Sequence, residues 1–379
     1  MNGRLWIGLC GLLVTACSGL RPLPVTVPPG PPPPTVAALW ADLDAVPADS
    51  GRSESGFRSL VRLTQGELRE RLRNQDPARA CGGPVPPGFA PFEAPAPSPE
   101  RAPLAGYFRP PASPDAPLVI VVHGLYDDKH VRYVQILARA LADAGFGALA
   151  VDMRWHGCRM ADLPSLGPAE AADLGAWSDL LRARYPGHPV GLVGVSLGGL
   201  AVLHAAGDPA APERFAAGVV AISPAGALER TVRRLDDRNY LLDRGGWKGV
   251  DKFFHWALRR RWLALGQEGP ASFGGFLDFL AARDGVPRAE WLAARDPAAQ
   301  ARRAQRPTLV LGSFRDGIVS ELALADLAAV ARDNPWVHVI ETAEGGHAGH
   351  LGTLPRFSGE LLVRFFRASA EVELRHGGG

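Results

Sequence analysis

Ser196 lies in Gly194-Val195-Ser196-Leu197-Gly198, between an apolar run at 189–193 and a helix-like stretch at 199–206. A serine on a sharp strand-to-helix turn projects its hydroxyl away from the backbone. Small flanking residues are needed because bulkier ones would not fit. The helix that follows points its N-terminal amides at the same spot and favours negative charge there. Strand, Gly-x-Ser-x-Gly, helix is the context of a nucleophile elbow. A serine hydroxyl attacks poorly until a base takes its proton. His347, after the apolar run 336–340, is of the right type to accept and return that proton. Asp316, after the apolar run 307–312, is of the right type to hold the imidazole and stabilise its charged form.

These residues need a frame. The run 117–122 is short, apolar and β-branched, as a buried parallel strand should be, and His123-Gly124-Leu125 follows it. Val134, Leu137, Ala138 and Leu141 mark a helix face. Strands are expected at 146–151, at 189–193 and from 215 to 222, with a helix at 168–185. After 300 the alternation resumes with a strand at 307–312, a helix at 319–332, a strand at 336–340 and a closing helix at 356–369. Such alternation predicts a mostly parallel sheet with helices on both faces. Chemistry then belongs at the C-terminal ends of the strands. Residues 225–300 break the rhythm. They hold helix-like pieces rich in aromatics, including Trp247, Phe254, Trp262 and Phe276, and read as an inserted helical cap. Most of these rings are expected to pack the cap on the core, and a few to line an apolar pocket above the serine.

The chain has 379 residues, a hydrophobic content of 46% and a formal net charge of +2. That suits a packed globular protein and gives no argument for nucleic acid. Arg4 precedes an apolar stretch at 5–14, too short to span a bilayer comfortably, so the start reads as a secretory signal. Val14-Thr15-Ala16-Cys17 resembles a bacterial lipobox. The resemblance implies cleavage after residue 16 and a lipid-bearing Cys17, and so a location in the bacterial cell envelope, tethered to a membrane. Residues 17–35 are proline-dense and read as a stalk. Within 36–103, an amphipathic stripe (Phe57, Leu60, Val61, Leu68, Leu72) is expected to be helical and to dock on the main domain. Residues 76–103 read as an irregular Pro/Gly wrap. Four cysteines are present. Cys10 leaves with the signal and Cys17 is taken by lipid, so Cys81 and Cys158 are expected to pair in an oxidising compartment.

The order Ser196, Asp316, His347, with His123-Gly124 after a strand and Gly345-Gly346-His347 near the end, resembles the α/β-hydrolase superfamily. The resemblance covers 104–224 and 301–370, with the cap 225–300 inserted. It implies the α/β-hydrolase fold and a Ser196–His347–Asp316 triad. It also implies an oxyanion hole made by the backbone amides of Leu125 and Leu197, with His123 and Gly124 shaping the loop. A serine at the elbow implies acyl chemistry, with a carboxylic ester carrying an apolar acyl part, small or lipid-like, as the expected substrate. No metal or organic cofactor is implied.

Other assignments stay open on sequence alone. His350 could serve as the base, and His347, Asp316 and His350 could be imagined around a metal, although a further ligand at suitable spacing is missing. Tyr126, Asp127 and Asp128 could touch substrate or merely shape a polar loop. His204 reads as a packed or surface residue, and Asp152 as an organiser of the loop after its strand. Acyl transfer, thioester or amide hydrolysis would use the same triad, and a non-catalytic envelope adaptor could use the same scaffold. Oligomeric state is not legible.

Overall fold

The computed structural model describes residues 35–46, 75–95, 102–237, 250–314, 316–342, 346–347 and 355–374. Cys10, Cys17, the stripe from Phe57 to Leu72, Trp247, Gly345 and His350 lie outside the described residues. Eight strands form one sheet: β1 (Ala90–Ala94), β2 (Leu104–Arg109), β3 (Leu118–Val122), β4 (Gly147–Val151), β5 (Val190–Val195), β6 (Val219–Ile222), β7 (Thr308–Ser313) and β8 (Val337–Thr342). Their order is β1-β2-β4-β3-β5-β6-β7-β8. The first two strands run antiparallel to their neighbours, and β3 through β8 are parallel.

Alternate residues of the central strands feed two cores, as a period of two requires. Ile120, Val122, Leu192 and Val310 face one core, and Val119, Val121, Val193 and Leu311 the other. The first face is covered by α4 (Pro168–Arg184), α5 (Leu197–Ala206), α12 (Glu321–Asp333) and the helices between β6 and β7. The second is covered by α1 (Val36–Asp44), α3 (Arg132–Asp143) and α13 (Pro355–Leu374). Trp40 of α1 stacks on Phe365 of α13 at 6.3 Å, and Asp42 accepts a 2.9 Å bond from Arg364. Between β6 and β7 lie α7 (Leu228–Asp236), α8 (Val250–Ala264), α9 (Phe273–Arg283), α10 (Arg288–Ala293) and α11 (Pro297–Ala301). Trp262 of α8 and Phe276 of α9 pack on Trp155 in the core at 5.7 and 4.8 Å.

Two expectations are corrected. The wrap at 76–103 is not wholly irregular: a short helix, α2 (Pro77–Ala80), is followed by β1, which extends the sheet before residue 104. Pro91 lies inside β1 and removes an amide, which a strand tolerates only at a sheet edge. Phe92 and Ala94 are buried while Pro91 and Glu93 are exposed, the alternation of a half-buried strand. The strand expected from 215 begins only at Val219. Phe215 caps the short helix α6 (Ala211–Arg214), and Gly218, at φ +84°, turns the chain into the sheet.

The β3/β5 register sets Val122 opposite Gly194. Gly124 and Ser196 each lie two residues farther on, so both emerge at the same edge. There α5 begins close against β3. A Cβ on Gly198 would stand 2.5 Å from the carbonyl oxygen of His123 and 2.7 Å from that of Val122. Neither backbone atom can swing aside. Gly198→Ala is therefore expected to lower stability by about 1–3 kcal/mol and to reduce turnover. Denaturant unfolding alongside steady-state kinetics checks both, and an unchanged midpoint would refute the packing account.

Of the two readings of His204, packed or surface, the structure gives the packed one: it is buried on α5 with Gly167 against its ring, where a Cβ would lie 2.3 Å away. Burial pushes its pKa down to about 4. Unfolded histidine takes up its proton near pH 6.5, so between that pH and about 4 the unfolded chain binds more protons than the fold. Stability from this group is complete above pH 6.5 and is lost as pH falls through that window. At about 1.4 kcal/mol per unit, the loss amounts to about 3 kcal/mol. Burial also lowers His123 and His156, which steepens the slope. Denaturant unfolding at pH 7 and pH 4.5 should show the loss, and His204→Gln should flatten part of the slope.

Candidate active site

Ser196 stands between β5 and α5 at φ 56° and ψ −112°, a strained backbone for a residue with a side chain. Its amide donates to Ile222 O at 2.9 Å, continuing the ladder to β6. Its carbonyl accepts from Leu200 and Ala225 at 3.0 and 2.9 Å. The turn is tight enough that a Cβ on Gly194 would lie 2.2 Å from Gly198 O. The geometry of the serine is thus set by backbone on three sides.

His347 reaches the serine from beyond β8. Its Nδ1 lies 2.8 Å from Asp316 Oδ2 and its Nε2 lies 3.0 Å from Ser196 Oγ. An ionised carboxylate only accepts, so Nδ1 carries the proton and Nε2 offers its lone pair to the serine hydroxyl. Asp316 Oδ1 accepts from the amides of Ile318 and Val319 at 2.8 and 2.9 Å, which fixes the carboxylate plane. Gly346 N donates to Ser313 Oγ at 3.2 Å and ties the histidine loop to the end of β7. His347 and Asp316 are buried, and Ser196 is half-buried. The structure therefore brings Ser196, Asp316 and His347 together.

Leu125 and Leu197 flank the serine on its other side. Leu197 opens α5, so its amide has no partner within the helix. Gly124 packs closely, since a Cβ there would touch Ser196 Cβ at 3.4 Å. The Gly124 carbonyl accepts from His123 Nδ1 at 2.8 Å, and His123 Nε2 accepts from Met153 N at 3.0 Å. Gly124 C=O and Leu125 N–H share one peptide plane, so His123 aims the Leu125 amide. Burial lowers the His123 pKa and keeps it the neutral tautomer this requires. Gly124 N donates to Tyr133 Oη at 2.6 Å, and Tyr133 Oη donates to Asp127 Oδ2 at 3.0 Å.

The neighbouring polar residues build the loop. Asp127 and Asp128 are buried, and Asp128 Oδ1 accepts from His130 N at 2.8 Å. Asp152 forms a buried ion pair with Lys129 and accepts from the amides of Lys129 and Cys158, each at 3.0 Å. Burial pushes its carboxyl up, but the Lys129 ammonium and these bonds outweigh burial and hold it below the usual range. Cys81 and Cys158 are joined by a disulfide with Cα atoms 4.1 Å apart. Tyr133, His156, Gln75 and Arg261 support this loop and were not singled out from sequence. Tyr133 follows at the start of α3 and the other three come from distant segments, and no motif or periodicity marks them. Among the described residues no three His, Cys, Asp or Glu side chains are grouped to hold a metal.

Residues 113–261 match the family model described as "Serine aminopeptidase, S33". No curated protein matches the sequence. Among solved structures the chain is similar to an esterase of Pyrococcus furiosus, with 17% identity over 75% of this chain and 96% of that one and a TM-score of 0.55. It is also similar to a thermostable carboxyl esterase of Bacillus coagulans, with 16% identity over 75% of this chain and 99% of that one and a TM-score of 0.50. With the parallel sheet, the serine at its strand-to-helix turn and the matched segment, these similarities show that the chain has the α/β-hydrolase fold.

Proposed function

We propose that the chain is a serine hydrolase of carboxylic esters, acting through an acyl-enzyme and held at a bacterial envelope membrane by lipid on Cys17. The observation that carries the catalytic reading is the continuous contact from Asp316 Oδ2 through His347 to Ser196 Oγ, at 2.8 and 3.0 Å. Ser196 Oγ attacks the ester carbonyl while His347 Nε2 takes its proton. The imidazolium gains from the Asp316 carboxylate on its other nitrogen. Negative charge on the former carbonyl oxygen faces the Leu125 and Leu197 amides, each donor being worth about 3–4 kcal/mol of barrier. His347 returns the proton to the departing alcohol. It then takes one from a water that attacks the acyl-enzyme, and the acid leaves with Ser196 restored.

Ester over peptide is the preferred reading because the aromatic cap packs against the oxyanion loop itself. Phe254 and Phe273 lie 5.9 and 6.4 Å from the Tyr126 ring. An apolar acyl part suits such surroundings. A panel of 4-nitrophenyl esters from acetate to palmitate, run beside an aminoacyl 4-nitroanilide, tests this choice. Turnover of the anilide without the esters would reverse it.

Ser196→Ala is expected to keep the fold and lower turnover by roughly four orders of magnitude or more. Ser196→Ala combined with His347→Ala should be little worse than either alone, because triad members act as a unit. A fluorophosphonate adduct mapped by mass spectrometry should sit on Ser196. An adduct on Ser223 or Ser313 would overturn the assignment. If His347→Ala kept its activity while His350→Ala lost it, the base would be His350.

The anchor is tested separately. Cys17→Ser is expected to leave the chain unacylated and to move it from the membrane to the soluble fraction. Unchanged membrane association with the same mass as the native protein would reject a lipid on Cys17. Among the described residues no helix is long and apolar enough to cross a membrane.

A further inference from the structure

Three consecutive peptide planes after His123 carry the amide proposed to stabilise the oxyanion. The first, Gly124–Leu125, is aimed by His123. The second ends in the Tyr126 amide, which donates to His156 Nε2 at 3.0 Å. His156 Nδ1 donates to Arg154 O at 2.6 Å, so its tautomer leaves Nε2 as the acceptor. The third begins at the Tyr126 carbonyl, which accepts from Gln75 Nε2 at 3.1 Å. Tyr126 itself sits at φ +64°, which a tyrosine holds only when its surroundings impose it.

We infer that Gln75 and Arg261 are positioning residues that lock the oxyanion loop in its productive form, with the Cys81–Cys158 disulfide joining their support to that of His156. The inference rests on the serine-hydrolase reading above. Gln75 is buried, and its Oε1 accepts from Arg261 Nε at 2.9 Å. That bond decides which end of the carboxamide faces Tyr126, since Arg261 only donates. Arg261 arrives from α8, 186 residues along the chain. It is fully buried, with its guanidinium carbon 5.7 Å from the Tyr126 ring and 5.9 Å from the Trp155 ring.

Stability does not explain Arg261. Among the described residues its Nη1 and Nη2 are buried without hydrogen-bond partners. An apolar chain of similar size would fill the space with less desolvation. Burial lowers its pKa to about 10, with the charges of Asp128, Asp127 and Asp152 opposing the fall, so it stays charged at neutral pH. What the arrangement secures is direction: one guanidinium N–H, one carboxamide and one carbonyl, in line. The disulfide closes the frame. Cys81 follows Gln75 on the N-terminal arm, and Cys158 follows His156 in the loop after β4. The two segments that grip the Tyr126 peptide from opposite sides are thus covalently one.

The decisive variant is Gln75→Glu in the full chain. It keeps the length and the acceptor for Arg261 but cannot donate to the Tyr126 carbonyl when ionised. Misaimed amides act on the transition state alone, so kcat should fall about tenfold or more with KM changed less than about twofold. Affinity for a trifluoromethyl ketone, which forms the oxyanion reversibly, should weaken in the same ratio. Cys81→Ser/Cys158→Ser and Arg261→Lys should shift the same quantities in the same direction. Arg79→Ala, which breaks only an exposed pair with Asp76, should leave them alone. Hydrogen exchange at the amides of 124–127 should quicken in Gln75→Glu while the amides of β3 and β5 stay protected. A kcat within twofold of native in Gln75→Glu would overturn the inference. Should the native chain turn over no ester, the hydrolase reading fails on its own. Exchange then decides the clamp: faster exchange at 124–127 supports it and unchanged exchange ends it.

Discussion

Everything at this site depends on a serine held at φ +56° by backbone it cannot displace. Such a conformation costs of order 1–3 kcal/mol and persists only where the surroundings over-determine it. Here the surroundings are α5, whose ten residues from Leu197 to Ala206 are all buried, and β3, whose last carbonyls press on its first turn. A helix sealed on every side cannot retreat from the strand to relax the turn. The strain is therefore borne by the whole packing of α5, and glycine at 194 and 198 is its local consequence. Because β5 lies between β3 and β6, the parallel neighbours deliver the other parts to the same edge. The loop from His123 to Lys129 leaves β3 on one side, and Asp316 and His347 arrive from β7 and β8 on the other.

The loop after β4 is ordered by buried charge. Arg154 meets Asp173 of α4 through two bonds of 2.7 Å, and Arg159 pairs with both Asp173 and Asp162. Removing several charges from water offsets most of their mutual attraction, so such a cluster adds little net stability. It does give the loop few alternative arrangements, because any displacement strands a charge without its partner. Trp155 and His156 lie inside this cluster and Cys158 beside it. His156, which braces the Tyr126 amide, is thus mounted on a loop held by buried ion pairs.

How much of this was legible follows from the range of each interaction. The elbow is made by five adjacent residues whose backbone geometry restricts their types, so a pentapeptide in its strand-helix context reveals it. The order of Ser196, Asp316 and His347 along the chain is fixed by the order of the strands, which periodicity also reveals. The Cys81–Cys158 pairing was accessible by elimination among four cysteines. β1 was hidden because Pro91 argues against a strand, and only its place at the sheet edge removes the objection. Gln75, His156 and Arg261 were hidden because they meet Tyr126, or one another, across long stretches of sequence without any repeating pattern.

That difference has a chemical origin. Proton transfer needs three side chains in contact, and each can be tuned by its own rotamer once its loop arrives. An oxyanion donor is a backbone N–H, and no rotamer aims it; only the planes of the flanking peptides do. Fixing those planes takes partners for the carbonyls and amides on either side, and in a loop no ladder supplies them. They must be recruited from wherever the fold brings a side chain close. Here that means the N-terminal arm, the loop after β4 and the helix α8. The arm and α8 thus support the loop after β3 as well as cover it, and the position of one peptide near Ser196 is coupled to the packing of both.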